Sequence, residues 1–253
     1  MVPALLGALA LAAAPEFSFA FSNDSGSHLL ALPPVTAPSK LNKAVCDGRL
    51  LDVKYVGEQA KGAKDSGRQT AGNFSQVKGS LFKLVKGTMP ADALCLLAPA
   101  AAFSKRKLLP VTAENGEKCD EKTAALMAQL GKRTVTKCLP TGTFPGGRLT
   151  FAGYELDGSS ALAAVALTED TGASVVRRFP ATWERGAPSC WRADDGCEFD
   201  PASYRVAFAM RGPTGLELYA LWAGPEGEHA ELLRVKGSEL SVAATASRYW
   251  SPE

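Results

Sequence analysis

From Gly147 to its last residues the chain alternates strand-length apolar runs with turn signals, and this cadence restricts the possible folds more than any other feature. The runs are Arg148 to Leu156, Leu162 to Thr168, Ser174 to Phe179, Ser203 to Met210, Leu216 to Trp222, Ala230 to Val235 and Glu239 to Ala244. Asp157-Gly158, Asp170 to Gly172, Gly212-Pro213, Gly224 to Gly227 and Lys236-Gly237 separate most of them. Gly-containing pairs of this kind supply the positive φ angles that tight hairpins need, so successive runs should pair antiparallel. Glu217, Tyr219 and Leu221 alternate with Leu218, Ala220 and Trp222, so one face of that strand can be apolar throughout. The spacing predicts an antiparallel meander over residues 146–253, closed or packed on itself as a barrel or sandwich.

Residues 45–145 predict a smaller β-rich region carrying one helix, which makes the fold class mainly β. Arg49 to Val56, Val77 to Val85 and Ala93 to Leu97 have strand character between Gly- and Pro-containing breaks. Over Cys119 to Leu130, Ala124, Leu126, Met127 and Leu130 form one stripe, and Asp120 and Glu121 occupy the first turn, where the helix dipole favours them. Gly131, followed by Lys132 and Arg133, is the stop signal.

The first fourteen residues carry no charge and are nearly all Ala, Leu, Gly and Val, the composition of an export signal; Pro15 and Glu16 interrupt the run before it is long enough to span a bilayer. Ser18-Phe19-Ala20 offers small residues at the two positions that fix a signal-peptidase cut. A signal peptide over residues 1–20 is the expectation, followed by a flexible leader over residues 21–44, rich in Ser, Pro, Asn and Thr.

The six cysteines, Cys46, Cys95, Cys119, Cys138, Cys190 and Cys197, form an even set downstream of that signal, which favours three disulfides and a periplasmic or secreted location. Pairing neighbour with neighbour is the working assignment: Cys190 with Cys197 around a short loop, Cys119 with Cys138, and Cys46 with Cys95. No Cys-x-x-Cys pair occurs and histidine is nearly absent, so zinc and other metals are not expected, nor is any cofactor.

Twenty-eight Lys and Arg against 26 Asp and Glu leave a formal net charge of +2, too balanced for a nucleic-acid partner. The balance hides an asymmetry: residues 1–140 carry 18 basic against 11 acidic side chains, and residues 141–253 carry 10 against 15. A structural subunit assembling through oppositely charged halves is one function this permits.

Catalytic signals are sparse. His28 and His229 are the only histidines, so a Ser-His mechanism would have to use His229, and no Gly-x-Ser-x-Gly elbow accompanies it. Ser80-Leu81-Phe82-Lys83 fits Ser-x-x-Lys, but it reads as strand and lacks companion motifs. No catalytic residue is assigned, and catalysis is not the favoured reading. The candidate ligand loop is the Cys190 to Cys197 segment, where Trp191 offers a stacking face and Asp194, Asp195 and Glu198 offer carboxylates to a cation or sugar. The sequence therefore predicts an exported, disulfide-stabilised binding or scaffold module with an unidentified ligand or protein partner and no membrane span. A hydrolase of unrecognised type is the alternative.

Overall fold

The computed structural model describes residues 16–114, 118–184, 186, 189–191 and 195–250. Strands dominate it and helices are few, in agreement with the mainly β expectation.

Six strands form the first unit: β1 (Ser18–Ser22), β2 (His28–Ala31), β3 (Lys43–Cys46), β4 (Arg49–Gln59), β5 (Gly79–Leu84) and β6 (Leu94–Ala98). They close into an antiparallel barrel in the order β1-β2-β5-β4-β3-β6, with β6 returning to β1. The β3–β4 hairpin turns at Asp47 and Gly48, both at positive φ (49° and 69°), the pair of left-handed residues that matches a hairpin's twist. Leu29, Leu97, Ala44 and Phe82 fill the barrel with Cys46 and Cys95, which are joined across β3 and β6 as a directly opposed pair.

After a five-residue helix, α1 (Ala100–Ser104), the second unit begins with β7 (Lys107–Pro110) and β8 (Thr112–Ala113). A helix, α2 (Glu121–Gly131), precedes two four-stranded meanders. The first is β9 (Val135–Phe144), β10 (Gly147–Tyr154), β11 (Ser160–Glu169) and β12 (Ser174–Thr182). The second is β13 (Tyr204–Gly212), β14 (Gly215–Ala223), β15 (Gly227–Lys236) and β16 (Glu239–Tyr249). The ten strands lie in one sheet, in the order β7-β13-β14-β15-β16-β12-β11-β10-β9-β8. Its edge strands β7 and β8 are consecutive in the chain, so the sheet curls round until one short segment borders both margins. Phe151, Val165, Phe179, Leu218 and Leu233 point into the curl and form its core.

Helix α2 covers the outer face of the first meander. Asp120 caps it by accepting a hydrogen bond from the Thr123 N–H at 2.7 Å, and Met127 is buried against Ala152, Ala164 and Val176. The left-handed stop falls on Lys132 (φ 54°), one residue past the expected Gly131, and Gly131 instead makes room for the Tyr154 ring, which lies where a side chain would be. The Tyr154 hydroxyl donates to the Met127 carbonyl at 2.9 Å, and burial pushes its pKa up to about 12. The Cys119–Cys138 disulfide ties the helix approach to β9.

The outer face of the second meander packs on the first barrel. Phe208, Met210, Tyr219 and Leu232 meet Phe19, Phe21, Leu30 and Leu96 in one buried apolar layer, with the Phe208 and Tyr219 rings stacked at 4.7 Å. Ion pairs border this layer. Glu217, with 1% of its side chain exposed, accepts from Arg106 at 2.6 Å and from Arg234 at 2.7 Å, and the same two arginines hold Glu16 at 2.8 and 2.9 Å.

Two expected boundaries move. Residues 21–44, expected as a flexible leader, contain the end of β1, all of β2 and the start of β3. Their polar residues make turns, as where Asn23 Oδ1 accepts the Ser27 and His28 N–H groups, while Leu29 to Leu32 are buried between them. Ala20, the expected last residue of the signal, is wholly buried in β1 opposite Ala31 and Cys95. The chain passes from the first sheet to the second between Ala98 and Lys107, ahead of the division expected near residue 145, since β7 already pairs with β13.

Burial pushes the Glu217 carboxyl up, and the guanidinium hydrogen bonds outweigh it, so its pKa lies below the ordinary glutamate value. A lowered carboxylate pKa contributes stability that is complete above the unfolded value and lost as pH falls through the folded one. Urea titrations should therefore show stability falling as pH drops below about 4.3. Glu217→Ala should cost about 3 kcal/mol at pH 7 by leaving buried guanidinium charge underpaired, and should show a shallower acid slope.

Candidate functional site

The second sheet is incomplete at one place. β12 and β16 run parallel and touch through a single bridge, Val176 to Glu239, near the beginning of both strands. Beyond it no ladder continues among the described residues, and a cleft opens between the two strands toward Thr182 and Tyr249.

Register across three strands builds the cleft floor in rungs. Trp222, His229 and Ser247 are successive partners on β14, β15 and β16; Ala220, Glu231 and Thr245 form the next rung, and Leu218, Leu233 and Val242 the third. Side chains two apart in a strand share a face, so the floor grades from apolar at its closed end to polar at its mouth. His229 accepts or donates at both nitrogens, with Nδ1 2.9 Å from Ser247 Oγ and Nε2 2.8 Å from Thr245 Oγ1. Glu231 is 3.8 Å from the same imidazole but is engaged by Arg177 of β12 at 2.8 Å, and that guanidinium also lies 5.2 Å from the Phe179 ring centroid.

At the mouth is a recess of about 450 Å³, lined by Trp191, Trp222, His229, Ser247, Tyr249 and the turn from Gly224 to Gly227. Trp250 fixes the rim through its N–H to the Glu226 carbonyl (2.8 Å) and its indole N–H to the Pro225 carbonyl (3.1 Å). Behind it Arg248, 5% exposed, bonds Asp92 of the first barrel at 2.8 Å and Glu228 at 3.2 Å. Trp222 Nε1 is a buried donor with no partner among the described residues, as are the Tyr204 and Tyr219 hydroxyls and Arg248 Nε.

The Cys190–Cys197 disulfide closes its loop as expected, and the two described carboxylates of the expected ligand loop, Asp195 and Glu198, have different surroundings. Asp195 accepts main-chain N–H bonds from Cys190 (2.8 Å), Trp191 (2.7 Å) and Cys197 (2.8 Å), so it shapes the loop from within. Glu198 is exposed and, together with Trp191, borders a second recess shared with Lys137 and Tyr154. Asp194 lies outside the described residues. Trp191 is half-buried: its indole N–H donates to the Phe179 carbonyl at 2.9 Å, and its ring meets Phe199 edge-on at 5.6 Å. Phe199 in turn stacks on Trp222 at 5.2 Å, so Trp191 both caps the aromatic core and lines the recess.

Sequence reasoning missed Trp222, Ser247, Tyr249 and Arg177 as neighbours of His229. The usable signal was the short Gly224–Gly227 turn, which fixes Trp222 opposite His229. Ser247 could not be reached in the same way, because a bulge between Leu232 and Leu233 shifts the β15–β16 register by one residue. Among the described residues no three His, Cys, Asp or Glu side chains gather as a metal site requires. Comparison with family models, curated proteins and solved structures returned no match.

Trp191→Ala should lower stability by about 2 kcal/mol, since it uncovers Phe199 and removes a hydrogen bond to β12. Thermal melts of the variant check this, and an unchanged melting temperature would place the indole outside the core.

Proposed function

We propose that this protein is an exported binding module whose ligand occupies the recess formed by Trp191, Trp222 and His229. Three disulfides place the chain outside a reducing cytoplasm, and among the described residues no helix is long and apolar enough to cross a membrane. The observation that carries the reading is the convergence of two indoles and an imidazole on a cavity of about 450 Å³, a size suited to one sugar ring or one amino-acid side chain with its flanking groups. The indole faces supply contact area, while His229 and Ser247 supply orientation.

Export carries a corollary for processing. Glu16 is held by Arg106 and Arg234, and the Phe17 ring meets Phe103 at 5.7 Å, so both residues belong to the fold. Ala10-Leu11-Ala12 supplies the small residues a signal peptidase needs upstream of Glu16. N-terminal sequencing of the exported protein should find its first residue at or before Glu16; a start at Phe21 would contradict this.

A hydrolase is the second reading, favoured by one observation: Ser247 Oγ lies 2.9 Å from His229 Nδ1 with Glu231 beyond the ring. It is weaker because Arg177 neutralises Glu231 and Thr245 occupies Nε2, so no carboxylate orients the base. A fluorophosphonate probe should leave Ser247 unlabelled, and covalent labelling there would favour the hydrolase.

Binding is tested by tryptophan fluorescence with panels of oligosaccharides and short uncharged peptides. His229 is 38% exposed on its side chain, so His229→Ala should weaken binding about 10-fold, or 1.4 kcal/mol, with little change in melting temperature. Equal binding by wild type, His229→Ala and Trp222→Phe would remove the recess as the site.

A further inference from the structure

We infer that the ligand is an extended segment of polypeptide, which adds to the free margin of β16 as a further strand and sets one side chain into the recess. This rests on the recess being the binding site. It follows from accounting for main-chain hydrogen bonds along β16.

Tyr249 turns its main-chain groups away from β15. Its N–H donates to Gln69 Oε1 at 2.9 Å, its carbonyl accepts the Gln69 N–H at 2.6 Å, and the neighbouring Trp250 N–H instead reaches back to Glu226. Main-chain direction repeats every second residue, so Ser247 and Thr245 also point their N–H and C=O groups to the free side. Neither residue has a main-chain partner on that side among the described residues. Gln69 covers the margin at one end, and the Val176–Glu239 bridge closes it at the other. Between them Val242 to Ser247 remain open, about 17 Å of extended chain.

Unused strand margins are normally blunted by charge, proline or a covering element, since a bare one recruits other chains. The facing margin, on β12, follows that rule. Arg177 and Arg178 flank it, and Pro180 lacks a donor at a position equivalent to Val176, whose N–H points toward β16. Val242 to Ser247 has neither charge nor proline, and Val242 is among the chain's few exposed large apolar residues, at 41%. A margin left bare in this way suits a partner strand. The occupant is short and uncharged. Arg177 is paired with Glu231 and Arg178 with Glu239, so β12 presents no unmatched charge to the open stretch, and Ala243, Thr245 and Ser247 along it are small and exposed. A folded second copy fits less well, because β12 and the Gln69 loop flank the open stretch at both ends. The recess adjoins Ser247, so an apolar or aromatic side chain of the added strand that faces the cleft floor meets Trp191 and Trp222.

The experiment uses the full exported chain and a library of uncharged five- to seven-residue peptides, each with one aromatic or aliphatic anchor. Binders should change tryptophan fluorescence. N-methylation of alternate peptide amides should weaken them about 10-fold or more, and N-methylation of the intervening amides less than about 2-fold. Ser247→Pro removes an edge donor that β15 does not use and should weaken binding by the same factor. Bound peptide should also slow amide exchange at Thr245 and Ser247 in the unmodified protein about 10-fold, a readout that does not depend on any variant folding. Oligosaccharides that bind the recess while no peptide does would overturn this inference and leave the site standing. So would peptides indifferent to N-methylation, or a dimer in sedimentation that Ser247→Pro abolishes. Peptide binding that survives both Trp222→Phe and His229→Ala would instead defeat the recess itself.

Discussion

The apolar layer between the first barrel and the second meander is the interaction on which the rest of the structure depends. It buries the outer face of β14 while the core of the curled sheet buries the inner one, so Leu216 to Leu221 is covered on both sides. A strand covered on both faces cannot keep the alternation of a half-buried one. Glu217 is the exception that proves costly, and it is tolerated because Arg106 and Arg234 bring compensating charge and hydrogen bonds to the margin of the layer. The charge asymmetry between the halves does not organise this contact. Arg106 to Glu217 follows its sign, but Glu16 to Arg234 and Asp92 to Arg248 run against it.

The same layer explains why a cleft persists in an otherwise continuous sheet. β13 to β16 are held on the first barrel, and β9 to β12 are held by α2 and the Cys119–Cys138 disulfide. The two meanders are anchored to different neighbours and, though they share a core, their strands pair among the described residues only at Val176 and Glu239. Between β12 and β13 in the chain, Trp191 seals the aromatic core at the open end. The recess is what remains between that cap and the Gly224–Gly227 turn.

What was legible in the sequence was local. Hairpins with Gly at the turn, such as Lys236 to Glu239, revealed the meander strands, and Asp120 with Glu121 revealed α2, because those signals act within a few residues. The three disulfides follow neighbour pairing since each closes a segment short enough for its ends to meet in one unit. The turn residues around β2 hid a strand only four residues long, and nothing local says that Ser18 to Ser22 must pair with Leu94 to Leu97. The site was less legible still. Trp191 was recognisable from its disulfide loop, but its partners come from three strands whose alignment depends on a bulge, and Asp195 gave no outward sign that its carboxylate would be consumed by its own loop.

The central claim is that the layer makes the two units one cooperative body, with the cleft fixed by it. Differential scanning calorimetry of the disulfide-intact protein tests this most directly. The account predicts a single transition whose calorimetric enthalpy equals its van't Hoff enthalpy. Two resolved transitions, or a calorimetric enthalpy about twice the van't Hoff value, would show that the barrel and the curled sheet unfold independently and would contradict it.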